Sequence, residues 1–101
     1  MHNIHSALLL LKHCTMSKII ITPSFQRKAL GRAYHDGLIK NTFCTQKIFG
    51  ITDQENDTFK LLYQHTTEND LCIACRIQAD HIIPITIYPS KRSKRIRNDE
   101  H

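Results

Sequence analysis

Four side chains in the second half of the chain have the chemistry that metal-independent cleavage of RNA requires. They lie on or beside segments that alternate like strands, and they are His65, Arg76, His81 and Tyr88. A ribonuclease needs a base to activate the 2′-hydroxyl, a cation to stabilise the charge of the phosphorane, and an acid to protonate the leaving 5′-oxygen. Imidazole, guanidinium and phenol groups can fill these roles. The alternative is that they are scattered surface groups, since the sequence alone does not show that they converge in space.

A second group of polar side chains follows helical spacing nearer the start of the chain. Ser24, Lys28 and Arg32 are four residues apart, which places them on one face of a helix. Two cations and a capping hydroxyl on one face can bind a phosphate group. The alternative is an ordinary solvated face, opposite the apolar stripe of the same helix.

Positive charge is concentrated at the C-terminal end. The net charge of +5 rests on a run that holds five of the 14 Lys and Arg residues, namely Lys91, Arg92, Lys94, Arg95 and Arg97. Outside that run, Lys and Arg are balanced by the nine Asp and Glu residues. A local cationic stripe attracts polyanions such as RNA or DNA over roughly 10 Å in physiological salt. We therefore expect the first four of these residues to bind nucleic acid together with Lys28 and Arg32, whereas the alternative is a solvated, disordered terminus.

The four cysteines, at positions 14, 44, 72 and 75, form no regular disulfide framework. Cys72 and Cys75, with His65 and His81 nearby, are candidates for a metal site, but structural zinc normally uses two clustered ligand pairs. Cys72 and Cys75 also lie within a predicted strand, where residues three apart point to opposite faces. We therefore predict no metal or other cofactor, with a zinc-stabilised domain as the weaker alternative. Free thiols are typical of a reducing cytoplasm.

Apolar periodicity predicts an α+β fold in which two helices pack on a small antiparallel sheet. The β-branched run at 18–22 indicates a first strand, and a helix capped by Ser24 is expected just after Pro23. The remaining elements are a second helix over Leu38–Lys47 and a meander of three strands over Thr58–Thr66, Leu71–Gln78 and Ile82–Tyr88. Pro84 cannot donate a backbone hydrogen bond, so we expect the last strand at a sheet edge or with a bulge, and we expect Pro89 to end it.

The chain divides into three predicted parts. Residues 1–15 are a His-rich leader, with at most a short helix over Ile4–His13, and the Met16-Ser17-Lys18 sequence that follows can serve as an alternative start of translation. Residues 16–89 form a single predicted domain, and residues 90–101 form a basic, disordered tail. The apolar run Ala7–Leu11 is too short for a secretory signal or a membrane span. We predict a cytoplasmic protein with no membrane partner.

The segment Ile21–Arg32 and the closing segment Ile83–Pro89 resemble a small bacterial and phage family known as domain of unknown function 4258. The resemblance implies a basic helix that opens with a histidine, a second short helix and a three-stranded meander. It also implies a fold similar to that of the RelE-like and BrnT-like toxin ribonucleases. Ser24 stands at the position of the family's histidine and Lys28 at that of an arginine, whereas Arg32 matches the family pattern.

These observations predict a small RNA-binding protein or a toxin-like, metal-independent endoribonuclease. Its expected partners are RNA, an antitoxin protein and, because a chain of this size buries a small core, a second copy of itself. In the ribonuclease hypothesis, His65, His81 or Tyr88 moves protons and Arg76 stabilises charge. The alternative from a different class is a non-enzymatic interaction module, of phage or mobile-element origin, whose basic tail binds nucleic acid.

Overall fold

Three α-helices precede a four-stranded antiparallel sheet in residues 2–91, the part of the chain that the computed structural model describes. The helices are α1 (Ile4–Lys12), α2 (Pro23–Gly31) and α3 (Asp36–Thr45), with a turn of 3-10 helix at Met16–Lys18. The strands are β1 (Ile48–Asp53), β2 (Thr58–Gln64), β3 (Asn69–Gln78) and β4 (His81–Lys91). The predicted α+β class is confirmed. No helix within these residues has the length and apolar character needed to cross a bilayer.

The sheet has the strand order β1-β2-β3-β4, so each strand pairs with its neighbour in sequence. The last three strands form the predicted meander. Leu61 of β2 pairs with Ile73 of β3, which pairs with Ile87 of β4, and all three side chains are buried. Because side chains alternate across a sheet, this register places every second residue of each strand on one side. That side faces the helices.

The hydrophobic core lies between the helices and this side of the sheet. Each helix buries two apolar side chains four residues apart, one turn above the other, and these are Ala7 and Leu11, Phe25 and Ala29, and Ile39 and Phe43. Helix α1, within the predicted leader, therefore packs as part of the core. A start of translation at Met16 stays a prediction. Strand β4 includes Ser90 and Lys91, so the structured part of the chain runs past the expected tail boundary.

The helix boundaries are set by caps that differ from those expected. Thr22, not Ser24, caps α2, since the Thr22 Oγ1 accepts a hydrogen bond from the Phe25 N–H at 3.2 Å. Pro23 then occupies the first turn, where its missing N–H costs nothing. Helix α3 begins earlier than expected, because the His35 Nδ1 accepts a hydrogen bond from the Leu38 N–H at 3.1 Å.

In the first half of the chain, one predicted strand was wrong and one strand was not predicted. Residues 18–22 make a single parallel bridge, Ile19 to Ile82, instead of a strand, because the 3-10 turn and the Thr22 cap leave too few extended residues for a ladder. Strand β1 was missed. Its register against β2 shifts between Ile48 and Gly50, which interrupts the strict alternation that identifies a strand.

The irregularity expected in the last strand is present. Strand β4 lies at one end of the strand order, and its register shifts so that Thr86 pairs with Ala74 while Pro84 pairs with Cys75, which leaves Ile85 as the extra residue of a bulge. The prediction from Pro84 is confirmed. Pro89 does not end the strand, however, since a proline on an edge strand can direct its ring nitrogen away from the ladder.

Candidate nucleic-acid-binding face

The side of the sheet opposite the core carries the polar side chains with the clearest binding chemistry. We call it the helix-free face, because the described helices all pack on the other side. The register assigns its residues, and those in its middle are Thr58, Lys60 and Leu62 of β2, Cys72, Ala74 and Arg76 of β3, and Ile83, Thr86 and Tyr88 of β4. An exposed sheet face with cations and an aromatic ring is a common platform for single-stranded nucleic acid.

The centre of the helix-free face is formed by Lys60, Cys72 and Tyr88. Cys72 pairs with Tyr88 across β3 and β4, and Lys60 pairs with the next residue on this face of β3, Ala74. Burial raises the pKa of the Tyr88 hydroxyl, with a further increase from its hydrogen bond to Cys72, while Lys60 acts in the opposite direction. Tyr88 therefore keeps its proton at neutral pH. It can donate a hydrogen bond but cannot act as a base.

Arg76 lies next to this centre along the sheet. It pairs with Thr58 and Ile83 and is exposed, and no carboxylate within residues 2–91 forms an ion pair with it. Lys60 and Arg76 are diagonal neighbours, since Lys60 pairs with Ala74, and such neighbours lie roughly 7–8 Å apart. Two cations at this spacing can contact one or two phosphates of a single strand.

His81 lies beyond Arg76, at the end of the sheet where β4 begins. Its Nδ1 is 3.2 Å from an oxygen of Asp80, whose other oxygen accepts a hydrogen bond from the Lys18 ammonium. That hydrogen bond is the main cause that lowers the pKa of Asp80. Asp80 thus stays ionised and offers His81 a carboxylate partner.

His65 lies at the opposite end of the sheet from His81. It follows β2 directly, and its ring meets the edge of the Tyr34 ring at a centroid distance of 5.9 Å and an interplanar angle of 73°. The register separates the two histidines by nearly the whole length of β3, roughly 25–30 Å at the rise of an antiparallel strand. They cannot act on the same phosphate. Of the four predicted catalytic residues, only Arg76 and His81 lie at the same end of one face.

The other basic residues predicted to bind nucleic acid differ in their contacts. The Arg32 Nη1 donates a hydrogen bond of 2.5 Å to the Ile87 carbonyl oxygen, so this side chain ties the end of α2 to the outer edge of β4. Lys28 is exposed to solvent on α2. Lys91 is exposed at the end of β4, on the opposite side of the sheet from Arg76 by alternation. Arg92, Lys94 and Arg95 lie outside the described residues.

The two cysteines considered for zinc are separated by the sheet itself. Cys75 is buried in the core beneath the helices, whereas Cys72 belongs to the helix-free face. Within residues 2–91 no three or more His, Cys, Asp or Glu side chains are arranged to hold a metal ion.

Sequence reasoning passed over Lys60 as a binding residue. In the sequence Lys60 stands between Phe59 and Leu61 in the predicted strand Thr58–Thr66, and that alternation was the available signal. What the sequence did not show was the register, which places Lys60 beside Tyr88 and Arg76. No family model, curated protein or solved structure matches the chain.

Proposed function

We propose that this protein binds single-stranded RNA on the helix-free face of its sheet. The observation that carries the proposal is the arrangement of Lys60, Arg76 and Tyr88 on one face of the sheet, with two cations at neighbouring positions and an aromatic ring beside them. Arg76 is exposed, and Lys60 and Tyr88 are partly exposed. Cations contact the phosphates, while an aromatic ring stacks on a base without selecting its identity.

The charge distribution on this face supports the proposal. The ionisable side chains that reach solvent there are basic groups and the protonated Tyr88. Asp70, the acidic residue that the register places on the same face, is completely buried. The basic run that continues the chain after β4 adds a sequence-independent attraction for polyanions.

Binding agrees better with this geometry than cleavage does. A ribonuclease must bring a base, an acid and a cation to one phosphate. The candidates are instead spread along the sheet, with His65 at one end and His81 at the other, and Tyr88, which keeps its proton, could serve only as the acid. The endoribonuclease, the antitoxin partner, the homodimer and the cytoplasmic location all stay predictions. The interaction module with a nucleic-acid-binding tail stays the alternative, since it requires only the basic run.

Fluorescence anisotropy with a labelled single-stranded RNA at several salt concentrations tests the proposal. Each phosphate contact with a single strand contributes about 0.7 to the slope of log K against log salt, so Lys60→Ala/Arg76→Ala should reduce that slope by about 1.4. The matched control is Arg27→Ala/Lys40→Ala, which removes the same charge from the helical side. If both double variants reduce the slope equally, binding follows net charge and the face is not the site. Deletion of residues 91–101 then shows whether RNA binding depends on the tail.

A further inference from the structure

Two free thiols from separate elements meet on the helical side of the molecule. The Sγ atoms of Cys14, just after α1, and Cys44, in the last turn of α3, are 3.6 Å apart. Both side chains are half-buried and both cysteines are reduced in this structure. The two sulfurs are in van der Waals contact, and a disulfide requires them to approach by roughly a further 1.5 Å. No other element separates them.

We propose that Cys14 and Cys44 are a site of reversible oxidation, at which a peroxide converts the two thiols into an intramolecular disulfide. One thiol attacks an oxygen of the peroxide and the O–O bond breaks; the sulfur keeps that oxygen as a sulfenic acid, and the other oxygen leaves as water. The second sulfur then attacks the sulfenic sulfur and displaces a second water. In sum, two thiols and one hydrogen peroxide give one disulfide and two waters. A thiol reductant returns the disulfide to two thiols and is itself oxidised.

The surroundings of the pair determine which thiol reacts first. Burial, with a further contribution from Cys44, raises the pKa of the Cys14 thiol to about 12. Cys14 is therefore a poor initial nucleophile, and we assign it the second step. Cys44 lies in an open groove together with Lys12 and Lys47, where a small oxidant has access. Because thiolate is the reactive form, we expect oxidation over minutes to hours at neutral pH.

The remaining cysteines do not compete with this pairing. Cys75 lies in the core near Cys14, but it is completely buried and burial raises the pKa of its thiol to about 12. Cys72 lies on the helix-free face, on the other side of the sheet. The structure therefore favours the Cys14–Cys44 disulfide over the other pairings that four cysteines allow.

A disulfide here would link α1 to α3 and close a loop that contains α2. Cross-linking a loop of about 30 residues restricts the unfolded chain, and the expected rise in Tm is about 10 °C or more. The Tm of the oxidised protein should exceed the Tm of the reduced protein by this amount. No variant is needed for that comparison.

Tryptic digestion without reduction identifies the linkage directly. Cleavage after Lys and Arg places Cys14 in peptide 13–18 and Cys44 in peptide 41–47, whereas Cys72 and Cys75 share peptide 61–76. After treatment of the full chain with hydrogen peroxide, we expect peptide 13–18 linked to peptide 41–47. The linked species should disappear on reduction, together with the rise in Tm.

Two variants complete the test. Cys44→Ser should abolish both the linked peptide and the rise in Tm, whereas Cys72→Ser, the matched control, should retain both. The proposal is overturned if peptide 13–18 is linked to peptide 61–76, or if the peroxide gives only unlinked sulfinic or sulfonic acids. It is equally overturned if the linkage forms between two molecules, which gel filtration of the oxidised protein reveals.

Discussion

Shortening one buried leucine in α1 measures how strongly the first helix contributes to the fold. Leu11 is 3% exposed and belongs to the core, whereas Leu9 on the same helix is 56% exposed. Leu11→Ala should lower the free energy of unfolding by about 2–5 kcal/mol, because it removes apolar contacts and leaves a cavity. A chain of this size has a total stability of about 5–15 kcal/mol, so the loss is a large fraction of it. Leu9→Ala should change stability by about 0.5 kcal/mol or less.

Urea denaturation followed by far-ultraviolet circular dichroism is the suitable assay, since the chain has no tryptophan to report by fluorescence. The midpoint of the transition should move to lower urea for Leu11→Ala and stay near that of the unmodified protein for Leu9→Ala. Equal midpoints for the two variants would refute the reasoning. They would mean that α1 does not pack on the sheet, and a chain that starts at Met16 should then be as stable as the full chain.

Three further predictions concern the sheet. Tyr88→Ala should weaken RNA binding by about 1–3 kcal/mol in a titration, whereas Tyr88→Phe should retain most of the affinity, because stacking needs the ring and not the hydroxyl. Equal losses of affinity in the two variants would exclude stacking. Burial raises the pKa of Cys75 from 9.0 to about 12, so above pH 9 the unfolded chain loses a proton that the folded chain keeps. Stability should therefore fall with rising pH by about 1.4 kcal/mol per pH unit for this group, and the slope should be smaller in Cys75→Ala. If the protein cleaves RNA in the presence of a chelator, Arg76→Ala or His81→Ala should reduce cleavage and His65→Ala should not, as gel analysis of a labelled RNA would show.

Local patterns in the sequence predicted those elements whose signals are local. The alternation in β2 and β3 and the apolar pairs of α2 and α3 were sufficient to identify the α+β fold. Strand β1 was missed because the bulge near Gly50 interrupts its alternation, and the cap of α2 was misplaced by two residues because Thr22 and Ser24 have equivalent hydroxyls. The start of a helix depends on which of two similar side chains accepts the capping hydrogen bond, and the sequence does not show which one does.

The candidate site depended on information that no local pattern contains. Arg76, His81 and Tyr88 were selected by chemical type, and all three belong to the sheet. Their separation, and that of His65, follows from pairings between strands, which are long-range contacts. The closeness of Lys60 to Tyr88 has the same origin. The chemistry of single residues could thus be predicted, whereas their grouping could not.

The contacts along the outer side of β4 have a consequence for how this molecule behaves at high concentration. The Ile82 carbonyl oxygen accepts a hydrogen bond from the Ile20 N–H at 2.9 Å, and the Ile87 carbonyl oxygen accepts one from Arg32. An edge strand whose backbone groups are unpaired is a template to which a strand of another molecule can add and begin an amyloid-like stack. Here two of its acceptors are already engaged, and the distortion at Ile85 disturbs the flat geometry that such stacking requires. Loss of the Arg32 contact would free the Ile87 carbonyl oxygen, and we expect it to raise the tendency of the protein to aggregate.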